Sequence, residues 1–253
     1  MKISVIGSGN VATVLAKRLY DKGFTIVEIY SKQIANAFAL AKQVNATTVE
    51  QLTDLNNNTD IIIIAVADKA IETLVQQLSF NNQLIVHTAG SVSINVLKSV
   101  SGNYGVLYPL QSIRKQMNDE IPIPFLIDGN NELVLNQIKK IAAALSKTIL
   151  QADDDMRLKL HVAAVFACNF TNFMYLQSAT FCEQENIPFS LLQDLIEETA
   201  NRNGIKHPSE VFTGPAIRND TATIEKHLQV LNNHKNAKEL YEMLTKKIIE
   251  WKQ

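Results

Sequence analysis

Up to about residue 152 the chain alternates short apolar runs with stretches whose apolar residues recur at helical spacing. Ile3–Ile6 reads as a strand, and Val11, Leu15 and Leu19 mark a helix stopped by Gly23. Thr25–Tyr30 is a second strand and Ile34–Val44 a second helix. Ile61–Val66 opens with four consecutive isoleucines, β-branched and apolar on both faces, as a central strand of a parallel sheet requires. Leu84–His87, Gly105–Tyr108, Phe125–Ile127 and Thr148–Leu150 complete the strand signals. Such alternation predicts an α/β fold with a doubly wound, mostly parallel sheet.

After Asp153-Asp154-Asp155 the strand signal ends. Met156–Glu185 reads as one long helix, apolar around most of its circumference and therefore expected to be largely buried. Ser190 with Gln193 resembles a capping box for a helix ending before Gly204. Asp220 can cap a helix reaching about Asn232, and Tyr241, Leu244, Ile248 and Trp251 give a last helix one apolar stripe. The expected organisation is a dinucleotide-binding domain over 1–152 and an all-α substrate and dimerisation domain over 153–253. Asn56-Asn57-Asn58 marks a turn, since asparagine tolerates left-handed backbone.

Composition narrows the function. Apolar residues are 46% of 253 and charged residues 19%, which excludes disorder as the dominant state. A formal net charge of -1 gives no bulk attraction to nucleic acid or anionic membrane. The longest apolar runs have seven residues, against the roughly 20 that span a bilayer. The apolar start breaks at once into Gly7-Ser8-Gly9-Asn10 and is not read as a leader. Two cysteines cannot staple a chain of this length, so a cytoplasmic location is expected. Histidine and cysteine spacing offers no metal motif.

Gly7-Ser8-Gly9-Asn10-Val11-Ala12 is G-x-G-x-x-A, placed between the first strand and the first helix. Gly7 permits the sharp turn, Gly9 lets a pyrophosphate approach the backbone, and Ala12 allows close helix–sheet packing. Ser8, Asn10 and Val11 complete the phosphate turn. The dinucleotide's identity is read after the second strand, where Ser31-Lys32 offers a hydroxyl and a cation. That pair suits the 2′-phosphate of NADP better than the ribose hydroxyl of NAD, which an acidic residue usually holds. Glu28 falls near the right spacing but two or three residues before the strand end. Further cofactor contacts are expected from strand ends: Ala65-Val66-Ala67 and His87-Thr88-Ala89-Gly90.

Four segments carry a family resemblance: His87-Thr88-Ala89-Gly90-Ser91, Tyr108-Pro109-Leu110-Gln111, the run His161 to Asn172, and Thr213-Gly214-Pro215-Ala216-Ile217-Arg218-Asn219-Asp220. With them the chain resembles the 6-phosphogluconate-dehydrogenase-like superfamily. That group includes pyrroline-5-carboxylate reductases, ketopantoate reductases and hydroxyisobutyrate dehydrogenases. More closely, it resembles a family of NADP oxidoreductases whose C-terminal half is catalogued as a domain of unknown function. The resemblance implies an N-terminal Rossmann domain, a helical domain beginning with a very long helix, homodimers built through that domain, and a substrate cleft beside the nicotinamide. It also implies a Lys and, four residues later, an Asn on the long helix. Asn169 matches the second, but Val165 stands where the Lys belongs.

On an ideal α-helical wheel His161, Cys168 and Asn172 fall within about 40° of one another, with Asn169 near the edge of the stripe. His161 is the natural proton carrier, by itself or beside a water held by Asn169; a histidine satisfied at the domain interface is the competing reading. Cys168 reads as a small buried hydrophobe rather than a nucleophile. Arg218, with Asp220, holds an anionic substrate group or locks its own loop. The expected function is hydride transfer to or from a small polar, anionic C=O or C=N substrate, with His161, Asn169, Asn172 and Arg218 in the cleft. The alternative is an NADP-binding sensor without turnover. A pyrroline-5-carboxylate reductase proper fits less well, because the Thr-Gly-Pro loop departs from that family's small-residue loop.

Overall fold

The computed structural model describes residues 1–56, 58–118 and 120–252; the expected turn at Asn57 lies outside the described residues. The chain divides into two compact units, Met1–Cys168 and Asn169–Gln253.

The first unit is built on β1 (Lys2–Ile6), α1 (Asn10–Asp21), β2 (Thr25–Tyr30), α2 (Ile34–Gln43), β3 (Thr47–Val49), β4 (Ile61–Ile64), α3 (Asp68–Val75), β5 (Leu84–His87), β6 (Asn103–Pro109), β7 (Phe125–Gly129), α4 (Glu132–Leu145), β8 (Ile149–Gln151) and α5 (Asp154–Ala164). One eight-stranded sheet runs β3-β2-β1-β4-β5-β6-β7-β8. Only the β6–β7 pair is antiparallel. The order reverses between β1 and β4, so the crevice at their C-terminal ends is where such a sheet takes a ligand. The short β3 and the helices α3 and α4 were not expected from the sequence pattern.

The isoleucine run shows why this sheet is two-sided. Ile61 and Ile63 pack with α1, α2 and α4 on one face, and Ile62 and Ile64 with α3 residues Ile71 and Val75 on the other. All four are at most 1% exposed, and burying each stabilises the unit by about 2 kcal/mol. The run pairs with β1 on one side and β5 on the other, which fixes its central place.

The second unit contains α6 (Thr171–Gln184), α7 (Gln193–Ile205), α8 (Pro208–Val211), α9 (Pro215–Arg218), α10 (Thr221–Val230) and α11 (Lys235–Lys252). Asp220 caps α10 as expected, accepting from the Thr223 amide at 3.1 Å and hydroxyl at 2.8 Å. Ser190 does not cap α7: a 3-10 turn at Phe189–Leu192 precedes the helix, whose N-cap is Leu192. The helix also continues past Gly204 to Ile205. Among the described residues no helix is long and apolar enough to cross a membrane.

Two expectations for the long helix are corrected. It is continuous from Asp154 to Gln184, but Val165–Phe170 forms a π-helical turn. A π-helical turn, with its i→i+5 bonds, departs from the 100° per residue on which the stripe of His161, Cys168, Asn169 and Asn172 was drawn. Nor is the helix largely buried: Leu158, Val162, Phe173 and Leu176 are all about half exposed, between 46% and 56%. Apolar content around a helix does not by itself identify what covers it.

The start of α5 is fixed to the sheet by one ion pair, whose arginine is buried and whose aspartate is partly exposed. Arg157 is 1% exposed and donates through Nη2 to Asp154 Oδ1 and to the Val92 carbonyl, each at 2.6 Å. Asp154 accepts from the Ser93 hydroxyl and from the Ile94 amide at 3.0 Å. Burial alone would raise the Asp154 carboxyl, but the bonds from Ser93, Ile94 and Arg157 together hold it below its ordinary value. Asp153 caps the helix, accepting from the Met156 amide at 2.8 Å. The loop after β5 and the first turn of α5 are thereby one structure.

Beneath it lies His87, the last residue of β5, fully buried. Its Nδ1 accepts from the Ala89 amide at 3.2 Å, while Nε2 lies near the Ser93 backbone outside hydrogen-bond geometry. Burial first, then the Arg157 charge, lower its pKa from 6.5 to about 4. The ring is therefore neutral in the fold at physiological pH.

Two outcomes follow. Asp154→Ala strands a buried guanidinium whose Nε and Nη1 already lack partners among the described residues. It costs about 3 kcal/mol in urea denaturation, whereas Asp155→Ala, which breaks only an exposed pair with Lys159, leaves stability unchanged within error. For His87 the folded pKa lies below the unfolded one, so its contribution is complete above pH 6.5 and is lost as pH falls to about 4. Stability drops by about 3 kcal/mol across that window, and His87→Gln flattens this part of the pH profile.

Candidate functional site

The glycine turn joins β1 to α1 with the geometry a pyrophosphate needs. Gly7 has φ +128°, and a Cβ there would meet the Ala65 carbonyl oxygen at 2.1 Å, so a side chain is excluded on both counts. Its amide donates to the Tyr30 carbonyl at 2.8 Å, and Ala12 is fully buried behind it. Gly9 is different: nothing lies within 4 Å of a Cβ built on it. The turn is open on that side. Gly9 is the N-cap of α1 with no side-chain cap and no acidic residue in the first turn, which leaves the exposed helix start at Asn10 and Val11 available to an anion.

Ser8 donates to the Ser31 hydroxyl at 2.7 Å, tying the turn to the residue just beyond β2. Lys32 follows and is exposed. Glu28 is committed elsewhere: it is buried, two residues before the end of β2, and accepts from the Ser4 hydroxyl at 3.1 Å and the Asn56 amide at 3.0 Å. It is not placed to hold a ribose. Ser31 and Lys32 are what this end of β2 offers.

The neighbouring strand ends continue the crevice. Ala65 is buried, Val66 half-buried and Ala67 exposed at the start of α3. Thr88 is buried and donates through its amide to the Ile64 carbonyl at 3.1 Å. The His87 side chain is buried, so this segment offers a ligand its backbone and Gly90 rather than an imidazole.

His161, two turns into α5, reaches back over this segment. Its Nδ1 lies 2.9 Å from the Tyr108 hydroxyl, and the rings meet edge to face with centroids 6.0 Å apart. Gly90 makes the encounter possible, since a Cβ there would stand 2.9 Å from both Tyr108 Cζ and His161 Nδ1. Asp68 at the start of α3 accepts from the Ser91 hydroxyl. Burial, then the Asp68 charge, push the Tyr108 phenol above its ordinary pKa, with Arg157 opposing. The ends of β4, β5 and β6 therefore present a polar group of Asp68, Ser91, Tyr108 and His161. Tyr108 was not singled out as a site residue, because nothing local links it to a histidine 53 positions on.

The remaining candidates sit differently. Asn169, in the π-helical turn, and Asn172, in α6, are exposed, so no desolvation cost calls for a shared polar cavity. Arg218 is exposed at the end of α9, where Asn219 turns left-handed at φ 54°. Cys168 is half-buried and Cys182 buried, both as free thiols. A groove of about 730 Å³ in the second unit is lined by Arg202, His207, Phe212, Lys247 and Trp251, and contains none of the candidates. No group of three or more metal-ligating side chains gathers among the described residues.

Comparisons with known proteins agree with this layout. Residues 2–90 match the family model described as NADP oxidoreductase coenzyme F420-dependent, and residues 123–248 match the domain of unknown function DUF2520. No curated protein matches the chain. Among solved structures, it is similar to a Bacteroides fragilis protein named “putative NADP oxidoreductase”, at 38% identity over 98% of both chains and a TM-score of 0.89. The fold is shared with an imine reductase from Myxococcus stipitatus in complex with NADP+, at 16% identity, 99% and 93% coverage and a TM-score of 0.71. A reductive aminase from Aspergillus terreus, in complex with NADPH and ethyl levulinate, aligns at 16% identity, 98% and 92% coverage and a TM-score of 0.74. With its open glycine turn, its mostly parallel sheet and its helical second half, the chain belongs to the family of NADP oxidoreductases that join a Rossmann domain to this C-terminal domain of unknown function.

Proposed function

We propose that the protein is an NADP-dependent reductase of a small polar, anionic substrate bearing a C=O or C=N bond. The observation that carries this reading is the open side of the glycine turn, coupled through Ser8 to Ser31 and Lys32 while Glu28 is bonded inside. The residues fit a dinucleotide. Backbone at Gly9, Asn10 and Val11 would hold the pyrophosphate, and Ser31 and Lys32 the 2′-phosphate. Ala65, Val66, Ala67, Thr88 and Gly90 would flank the nicotinamide half. When bound, the reduced nicotinamide supplies hydride.

The chain's own residues do the rest. His161, held over Gly90, supplies a proton, and Asn169 orients a water or the substrate. Asn172 adds a second amide, and Arg218 binds an anionic substituent as a fork of fixed donors. The cofactor domain spans 1–152 and the substrate and dimerisation domain 153–253, in a cytoplasmic protein. A homodimer is supported by the second unit itself. Of its described residues only Cys182 and Ala216 are buried, while Leu191, Leu195, Ile205 and Val230 are between 57% and 83% exposed. A helical unit with so little interior needs a second surface to cover it. The replacement of the expected lysine by Val165 favours a second reading, a sensor that binds NADP without turnover.

NADPH binds more tightly than NADH in a fluorescence titration, and Lys32→Ala narrows the gap by about tenfold; equal affinities defeat the assignment. Gly9→Val keeps the fold, by circular dichroism, and loses dinucleotide binding. Consumption of NADPH with ketoacids, aldehydes or cyclic imines separates the reductase from the sensor. Sedimentation at micromolar concentration shows a dimer, and a 28.2 kDa monomer alone removes that part of the reading.

A further inference from the structure

We propose that Tyr108 is the group that hands the proton to the substrate and that His161 re-protonates it through Nδ1. This rests on the reductase reading above and deepens it. Three observations carry it. Nδ1 of His161 is occupied by the Tyr108 hydroxyl at 2.9 Å, so that nitrogen serves the phenol and not a ligand. Gly90 lies against both rings, with no side chain between them and the end of β5. Tyr108 is half-buried near the end of β6, and His161 reaches it from α5.

The protons balance along this pair. With His161 as imidazolium, Nδ1–H donates to the Tyr108 oxygen, which leaves the phenol's own hydrogen to point at the substrate. As hydride adds to the carbonyl carbon, the electron pair of the C=O bond moves to oxygen. The Tyr108 O–H bond breaks, and a new O–H bond forms on that oxygen. The phenolate takes the Nδ1 proton, leaving neutral imidazole, and solvent at the half-buried ring restores the imidazolium. No tyrosinate persists.

The test uses the full-length chain with NADPH, a panel of ketoacids and aldehydes, and a panel of cyclic imines. Wild type reduces members of at least one panel. Tyr108→Phe lowers kcat about 100-fold or more with NADPH affinity unchanged, and His161→Phe lowers it less. Without cofactor, ¹⁵N NMR of the histidine side chains shows a hydrogen-bonded Nδ1 for His161 that is lost in Tyr108→Phe. Turnover that is indifferent to Tyr108→Phe, or an Nδ1 signal unchanged by it, overturns this proposal and leaves the reductase reading standing. NADPH binding without turnover of either panel overturns both.

Discussion

The pairing of the buried Arg157 with Asp154 is the constraint on which the rest of this corner depends. A guanidinium removed from water is tolerated only where its charge is met, and here it is met by a carboxylate on the preceding turn and by the carbonyl of Val92. The same carboxylate takes the Ser93 hydroxyl and the Ile94 amide, so the charge pair also binds a loop. One ionic contact thereby sets the position of α5, and α5 sets the height of His161 above Gly90. Burial first, and then the charge of the same arginine, keep His87 neutral. Local geometry and stability are not separable in this corner of the first unit.

Much of the fold was legible because it is written in local pattern. Four adjacent isoleucines are intelligible only as a strand covered on both faces, and the G-x-G-x-x-A turn declares its neighbours on either side. What was not legible has physical reasons of two kinds. Three-residue β3 and the eight-residue α3 are too short for a period to establish itself. The π-helical turn at Val165–Phe170 looks like any apolar helix in sequence, because its extra width is a matter of hydrogen-bond partners rather than composition. The stripe of His161, Asn169 and Asn172 was drawn on an α-helical wheel from which this turn departs, and the contact of His161 with Tyr108 could be read only from the folded sheet.

The two compact units also differ in how they obtain stability. The first has a two-sided core, with helices laid on both faces of a sheet whose central strands are almost wholly removed from water. The second has apolar stripes and a capped α10, but few buried residues among those described. Asp220 illustrates the point: its hydrogen bonds to Thr223 define where α10 begins, yet such a cap fixes a boundary and does not exclude water. Sequence amphipathicity reports that a face wants cover. It is silent on whether the cover lies in the same chain.

The Ser8–Ser31 hydrogen bond has a consequence for how cofactor preference can change, in evolution or in the laboratory. On the proposed reading, the residue beyond β2 discriminates between dinucleotides, and the residue within the turn grips the part that all of them share. Here the two are bonded at 2.7 Å, with Ser31 as the acceptor. A replacement at 31 that removes the hydroxyl without supplying another acceptor loosens the turn, whereas an acidic residue keeps the acceptor and changes the charge. A change of preference that leaves the turn steady therefore passes through an acceptor at 31.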